Sequence, residues 1–181
     1  ETGKPAFIRD VVDVINGQRG DDLPVSAFVG REDGTFPSGT AAYEKRGIAV
    51  NVPEWQVDNC IQCNQCSYVC PHAAIRPFLL TDEELAAAPE GTVAKQGIGN
   101  TKGYKFKIQV SVYDCTGCGN CADVCPSKEK ALIMKPLETQ LAEADRWTYM
   151  HEKVGYKDTV VDKYANVKNS QFAQPLFEFS G

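Results

Sequence analysis

The sequence has no long apolar run. Nowhere in its 181 residues does an uninterrupted apolar stretch approach the roughly 18 residues that a membrane-spanning helix needs, so no membrane partner is expected. The first residues also lack the charged and apolar regions of a secretory signal. Basic charge is in deficit: 19 Lys and Arg stand against 24 Asp and Glu, a formal net charge of -5. That balance argues against nucleic acid as a partner. The hydrophobic content of 43% is ordinary for a soluble globular chain with one good core or two small ones.

No cysteine is spare either. All eight fall in two copies of one run, Cys60-x2-Cys63-x2-Cys66-x3-Cys70-Pro71 and Cys115-x2-Cys118-x2-Cys121-x3-Cys125-Pro126. Disulfide frameworks disperse their cysteines over the fold, whereas these crowd together as thiolates converging on one inorganic centre do. Structural zinc favours two separated C-x2-C pairs rather than three cysteines in register with a fourth before proline. The spacing is that of bacterial two-cluster iron-sulfur proteins, in which three thiolates of a run hold one 4Fe-4S cubane and the fourth ligates the other. Cys60, Cys63, Cys66 and Cys125 are therefore expected on cluster 1, and Cys115, Cys118, Cys121 and Cys70 on cluster 2. Cys70 is expected to open a helix, with Pro71 and Pro126 as first helical residues. Each oxidised cubane with its thiolates adds a charge of about -2. Oxygen-sensitive iron-sulfur chemistry points to the cytoplasm or another reducing compartment.

The flanks repeat as well. Gly47 to Val52 and Phe106 to Val112 read as strands before the two runs, the second with Tyr104, Phe106, Ile108, Val110 and Val112 alternating against polar residues. After each run come a short helix, expected to be longer in the second copy, and a further strand, Ala74 to Leu79 and Ala131 to Met134. The repeat predicts an α+β fold whose centre is a ferredoxin-like, pseudo-twofold two-cluster core. Between the copies lies an insertion, residues 79–103. In it Thr81 and Glu84 have the spacing of a capping box that opens a helix through Ala88. Upstream, Phe7, Ile8, Val11, Val12 and Ile15 share a helical face that Gly17 ends, and Leu23 to Val29 reads as a strand. Downstream, Leu137, Leu141, Ala144, Trp147 and His151 recur at helical spacing. The stretch from Asn169 to Phe179 fits neither period and exposes aromatics, as a segment lying on a neighbouring surface does.

Several of these strings resemble the pyruvate:ferredoxin (flavodoxin) oxidoreductase family. They are Tyr43-Glu44-Lys45-Arg46-Gly47-Ile48-Ala49-Val50, which looks like the signature of the family's EKR module, the two cysteine runs with Cys70-Pro71-His72-Ala73-Ala74-Ile75-Arg76-Pro77, and the ends of the stretch from Lys168 to Gly181. The resemblance implies three parts. These are an EKR-like linker module over 1–50, a small α/β unit; a ferredoxin-like domain over 51–136; and a helical and extended segment over 137–181. The last part would lead to a thiamine diphosphate domain that the sequence lacks.

It further implies an electron relay from a third, thiamine-proximal 4Fe-4S cluster to ferredoxin or flavodoxin, inside an enzyme that turns pyruvate and coenzyme A into acetyl-CoA and carbon dioxide. Thiamine diphosphate, magnesium and that third cluster belong to the full-length enzyme, expected as a homodimer, so no catalytic residue is assigned in this segment. The alternative is a free-standing two-cluster ferredoxin-type carrier.

Around the runs, Gly117 and Gly119 occupy places that Gln62 and Asn64 take in the first copy, and Tyr68 aligns with Asp123. The carboxylate hints at a lower potential for cluster 2. Ile61, Val69, Ile75, Val124 and Leu132 are expected as a dry wall around the clusters. His72 is read as packing at a helix start rather than as a ligand, His151 as solvated, and Lys45 and Arg46 as partners in surface salt bridges.

Overall fold

A computed structural model describes residues 3–163 and 166–172. They fall into two compact units, one up to Lys45 and the other from Arg46 onward. The fold mixes short helices with two small antiparallel sheets.

In the first unit a π-helical turn, Ile8–Val12, runs into α1, Asp13–Asn16. Ile8, Val11 and Val12 are buried as the periodicity requires, and Gly17 closes the helix. The Phe7 ring meets Phe36 edge-on at 5.1 Å and carries the Arg31 guanidinium 4.6 Å above it. The strand expected over Leu23 to Val29 is not formed. That stretch follows one 3-10 turn, Gly20–Asp22, and contains another, Val25–Phe28. Pro24 between them has no N–H to give a ladder, and Gly30 turns the chain at φ +80.

In the second unit β1, Asn51–Trp55, pairs with β5, Leu132–Pro136, from Asn51 opposite Pro136 to Trp55 opposite Leu132. The other sheet has β4, Lys105–Val110, at its centre, with β2, Ile75–Leu80, on one edge and β3, Lys95–Gln96, on the other. Ile75 faces Val110 and Leu80 faces Lys105. Each main pair thus joins the strand before one cysteine run to the strand after the other. Pro53 and Pro77 are tolerated because β1 and β2 are edge strands. The first strand starts later than its sequence predicts: it begins at Asn51, and Ile48 and Val50 before it are exposed.

Period-two alternation sends Ile75 and Leu79 into one core, with Val52, Phe106, Ile108, Val110 and Leu132, and sends Phe78 and Leu80 into a second core with Met150. Each such buried side chain contributes about 1.5–3 kcal/mol. Helix α2 is Gln65–Val69, α3 Asp82–Ala86, α4 Asn120–Asp123, α5 Ala142–Glu152, α6 Asp158–Lys163 and α7 Val167–Ser170. The capping box of α3 is present in both directions: Glu84 N–H donates to Thr81 Oγ1 at 3.2 Å and Thr81 N–H to Glu84 Oε2 at 2.7 Å. Helix α5 begins later than the periodicity implies, since Leu137 sits in a 3-10 turn before it. The polar face of β4 is not solvated as alternation alone suggests. Lys107, Gln109 and Ser111 are all buried, and Gln109 Nε2 donates to Glu143 Oε2 on α5 at 2.8 Å.

Candidate iron-sulfur site

The cysteine runs form two loops of the same backbone shape. Gln62 and Asn64 have φ of +58 and +62, and the aligned Gly117 and Gly119 have +73 and +80. The left-handed turns therefore belong to the loop, and glycine is their lower-strain occupant in the second copy. They turn backbone N–H groups back toward sulfur. Gln62 N donates to Cys60 Sγ at 3.4 Å and Gly117 N to Cys115 Sγ at 3.4 Å. The fourth cysteines are served in the same way, Cys70 by Ala74 N at 3.2 Å and Cys125 by Ala131 N at 3.5 Å.

The helices stand elsewhere than the spacing implies. Helix α2 ends at Val69 with Cys70 extended, and α4 ends at Asp123. Cys70 opens no helix, and Pro71 and Pro126 follow helix ends, where proline cannot continue the turn. Nor is the second helix the longer, because Ser127 to Lys130 are bends and loop.

Around these loops are two cavities. One is lined by Cys60, Cys63, Cys66 and Cys125, with Trp55, Ile108 and Leu132 among its walls. The other is lined by Cys70, Cys115, Cys118 and Cys121, with Pro53, Ile75, Val110 and Met134. Each cavity thus takes three thiols from one run and one from the other, and each is walled by β1 and β4 together. Ile75 and Leu132 line cavities as expected. Ile61 reaches the first cavity's rim while 53% exposed, and Val69 and Val124 line neither cavity.

Burial dominates the electrostatics of the thiols. It raises Cys60, Cys66 and Cys115, and pushes Cys121 up to about 12, with repulsion from neighbouring thiolates adding to it at all four. Thiols held protonated in this way are poor nucleophiles. Two such thiols in each cavity, with two further cysteines on the same wall, suit a cationic inorganic body that takes the place of thiol protons, as iron in a 4Fe-4S cubane does.

The surroundings clamp the first loop in particular. Lys95 Nζ donates to the carbonyls of Val57, Asp58 and Cys60 at 2.8, 3.4 and 2.9 Å, and Lys130 Nζ to those of Asp123 and Cys125 at 2.9 Å each. The Gln62 side chain bridges to the insertion, donating to Gln96 O at 2.8 Å and accepting from Ile98 N at 3.3 Å. Asn64 Nδ2 donates to Lys168 O at 3.2 Å and Ser67 Oγ to Gln171 Oε1 at 2.8 Å. Phe172 is buried edge-on against Phe106. As far as Phe172, then, the C-terminal stretch covers this chain's own first loop rather than a neighbour; Ala173 to Phe179 lie outside the described residues. His72 lines the rim of the second cavity and is exposed. His151 is not merely solvated, since it stacks on Trp147 at 6.4 Å.

The sequence has counterparts among known proteins. Residues 56–128 fit the model of a 4Fe-4S dicluster domain, and residues 1–49 fit EKR, a domain of unknown function. A pyruvate-flavodoxin oxidoreductase of Enterobacter agglomerans is 56% identical over 98% of the chain and 15% of its own length. A pyruvate:ferredoxin oxidoreductase of Moorella thermoacetica is 58% identical over 99% of the chain and 15% of its own. The chain is a relative of one segment of these oxidoreductases. It spans about a seventh of their length, and 9% of a mitochondrial pyruvate dehydrogenase [NADP(+)] of Euglena gracilis that is 46% identical to it. Among the described residues no helix of this oxidoreductase-related segment is long and apolar enough to cross a membrane.

Sequence reasoning missed three residues of the site. Trp55 and Lys95 lie outside the cysteine runs, and Lys130 falls in the stretch expected to lengthen the second copy's helix, where it instead donates to the carbonyls of Asp123 and Cys125. The one signal was positional: Trp55 and Val110 each stand five residues before the first cysteine of their run, and each lines a cavity.

Proposed function

We propose that this chain is the electron-relay segment of a pyruvate:ferredoxin or pyruvate-flavodoxin oxidoreductase, an enzyme that converts pyruvate and coenzyme A to acetyl-CoA and carbon dioxide. The observation that carries the reading is the partition of eight cysteines into two sets of four around two cavities. In this reading Cys60, Cys63, Cys66 and Cys125 hold cluster 1, and Cys115, Cys118, Cys121 and Cys70 hold cluster 2. The clusters, when bound, supply reversible one-electron storage at low potential.

The protein's part is to hold and tune. The four backbone N–H groups aimed at Cys60, Cys70, Cys115 and Cys125 favour negative charge on sulfur. Apolar walls from β1, β2, β4 and β5 exclude water, and Lys95 and Lys130 fix the loop carbonyls beside cluster 1. The crossed pairing β1 with β5 and β2 with β4 supports a ferredoxin-like, pseudo-twofold core over 51–136, with an EKR module over 1–50 and a connecting segment over 137–181. Thiamine diphosphate, magnesium and a third, proximal cluster belong in this reading to the rest of a homodimeric parent enzyme, and ferredoxin or flavodoxin takes the electrons. A reducing compartment such as the cytoplasm suits such clusters.

Anaerobic reconstitution tests the reading. About eight iron and eight sulfide per chain are expected, with rapid oxidation of the dithionite-reduced protein by added ferredoxin or flavodoxin. Cys70→Ala should lose the cluster held by Cys115, Cys118 and Cys121, and Cys125→Ala the other. Zinc without sulfide, or loss of the opposite cluster in both variants, would overturn it.

A further inference from the structure

The two cavities share their cysteine pattern and differ in the side chains that β1 and β4 put on their walls. Cavity 1 takes Trp55 from its own copy and Ile108 from the other; cavity 2 takes Val110 and Pro53 at the corresponding places. Of the four, Trp55 alone carries a polar side-chain group. Its Nε1 is buried and has no hydrogen-bond partner within ordinary range among the protein's atoms. A buried N–H left in that state costs about 1–3 kcal/mol, so the site calls for an acceptor. Cys60, Cys63, Cys66 and Cys125 line the same cavity as the indole. The ring is held from behind, edge-on to Phe106 at 6.1 Å and 5.6 Å from Lys107 Nζ.

We propose that the Trp55 indole N–H donates a hydrogen bond to sulfur of the cluster in cavity 1, the Cys60 thiolate or an adjoining sulfide, and so raises the reduction potential of that cluster alone. The inference rests on the cluster reading above. A donor to sulfur stabilises the more negative, reduced form, and hydrogen bonds to the sulfurs are among the levers that set these potentials. Cavity 2 has backbone donors of the same kind but a methyl-bearing wall where the indole stands. Trp55 is thus a tuning residue, and it makes two otherwise similar cubanes unequal.

The test is potentiometric titration followed by electron paramagnetic resonance, on wild type and on Trp55→Phe, which keeps an aromatic ring and removes the N–H. One midpoint potential should fall by the equivalent of about tenfold in the one-electron equilibrium, about 59 mV. The other should not move, and the cluster that shifts should be the one lost in Cys125→Ala. Unchanged potentials, a rise, or an equal shift of both would overturn the proposal.

Iron and sulfide analysis separates the two claims. Wild-type protein without clusters sinks the cluster reading, whereas two clusters with unmoved potentials sink only the role of Trp55. Should Trp55→Phe fail to assemble, unsubstituted protein grown with indole-15N tryptophan decides. The reduced cluster should show a 15N coupling that survives in Trp147→Phe, and its absence would overturn the proposal.

Discussion

Lys95 Nζ lies 2.9 Å from the carbonyl oxygen of Cys60, and the same ammonium also holds Val57 and Asp58. A residue of the insertion thereby fixes the entry to the first cysteine loop. Lys95→Met keeps the length of the stem and removes the charge, leaving these carbonyls without their charged donor. A loss of about 1.5–3 kcal/mol is expected, read from urea unfolding under anaerobic conditions. Iron should leave cavity 1 first under a chelator, because only that loop loses its clamp. Equal release from both cavities would separate the lysine from the loop.

The two aligned glycines of the second loop make a graded pair. Gly119 has φ +80 and open space where a Cβ would go, so Gly119→Ala meets only the left-handed penalty, about 1–2 kcal/mol. At Gly117, φ +73, a Cβ would lie 2.8 Å from Asn51 O and 3.2 Å from Ala49 Cβ. Gly117→Ala should add to that penalty a further overpacking loss of about 1–3 kcal/mol, and should weaken the pairing of β1 with β5 that begins at Asn51. Thermal unfolding of the two variants side by side checks the order, and equal losses would mean that the chain before β1 yields.

How much of this was legible follows from where each signal sits in the chain. Period two found β4 closely, and the apolar stretch repeated after each run found β2 and β5, because Phe106, Ile75 and Leu132 are buried. The capping box found the start of α3 because Thr81 and Glu84 bond locally. The cysteine spacing made all eight thiols candidates, and the fold sets four of them around each cavity. What failed depends on distant partners. Lys107 and Gln109 looked solvent-facing until α5 covered them, and Pro71 looked like a helix start because nothing local reveals that Val69 ends the turn. Trp55 stands beyond the expected first strand and outside both cysteine runs, and only the fold places it on the wall of a cavity.

Glu84 has two attachments that its capping role does not require. Besides closing the Thr81 box it takes Lys157 Nζ at 2.8 and 2.9 Å and Gly155 N at 2.8 Å. Burial opposes its ionisation, but Lys157 and the N–H groups of Thr81 and Gly155 outweigh it and hold the carboxyl below its usual range. A double-mutant cycle of Glu84→Gln with Lys157→Met at pH 7 should give a coupling of about 1 kcal/mol, at the top of the range for exposed pairs because both side chains are mostly buried. Glu84→Ala should lose about 1 kcal/mol more than Glu84→Gln, since alanine has no side chain to complete the cap. A coupling near zero would assign the stabilisation to the cap alone.

Lys107 provides a pH signature. Its residue surface is 2% exposed, and burial pulls the ammonium down to about 8, opposed by Glu143 and assisted by Arg146. In the unfolded chain the same group titrates near its ordinary 10.5. Between those values the unfolded state holds the extra proton, so stability rises with pH through the window. Below pH 8 both states are protonated and the group contributes no slope. The gain from about pH 8 to 10.5 is on the order of 2–3 kcal/mol. Lys107→Met should abolish it, and should be neutral or stabilising at pH 7, since an apolar stem replaces a buried charge while Glu143 keeps Gln109 and Arg146. The measurement is anaerobic urea unfolding of both proteins across that range. Parallel curves would place the Lys107 charge in solvent, contrary to its burial beneath α5.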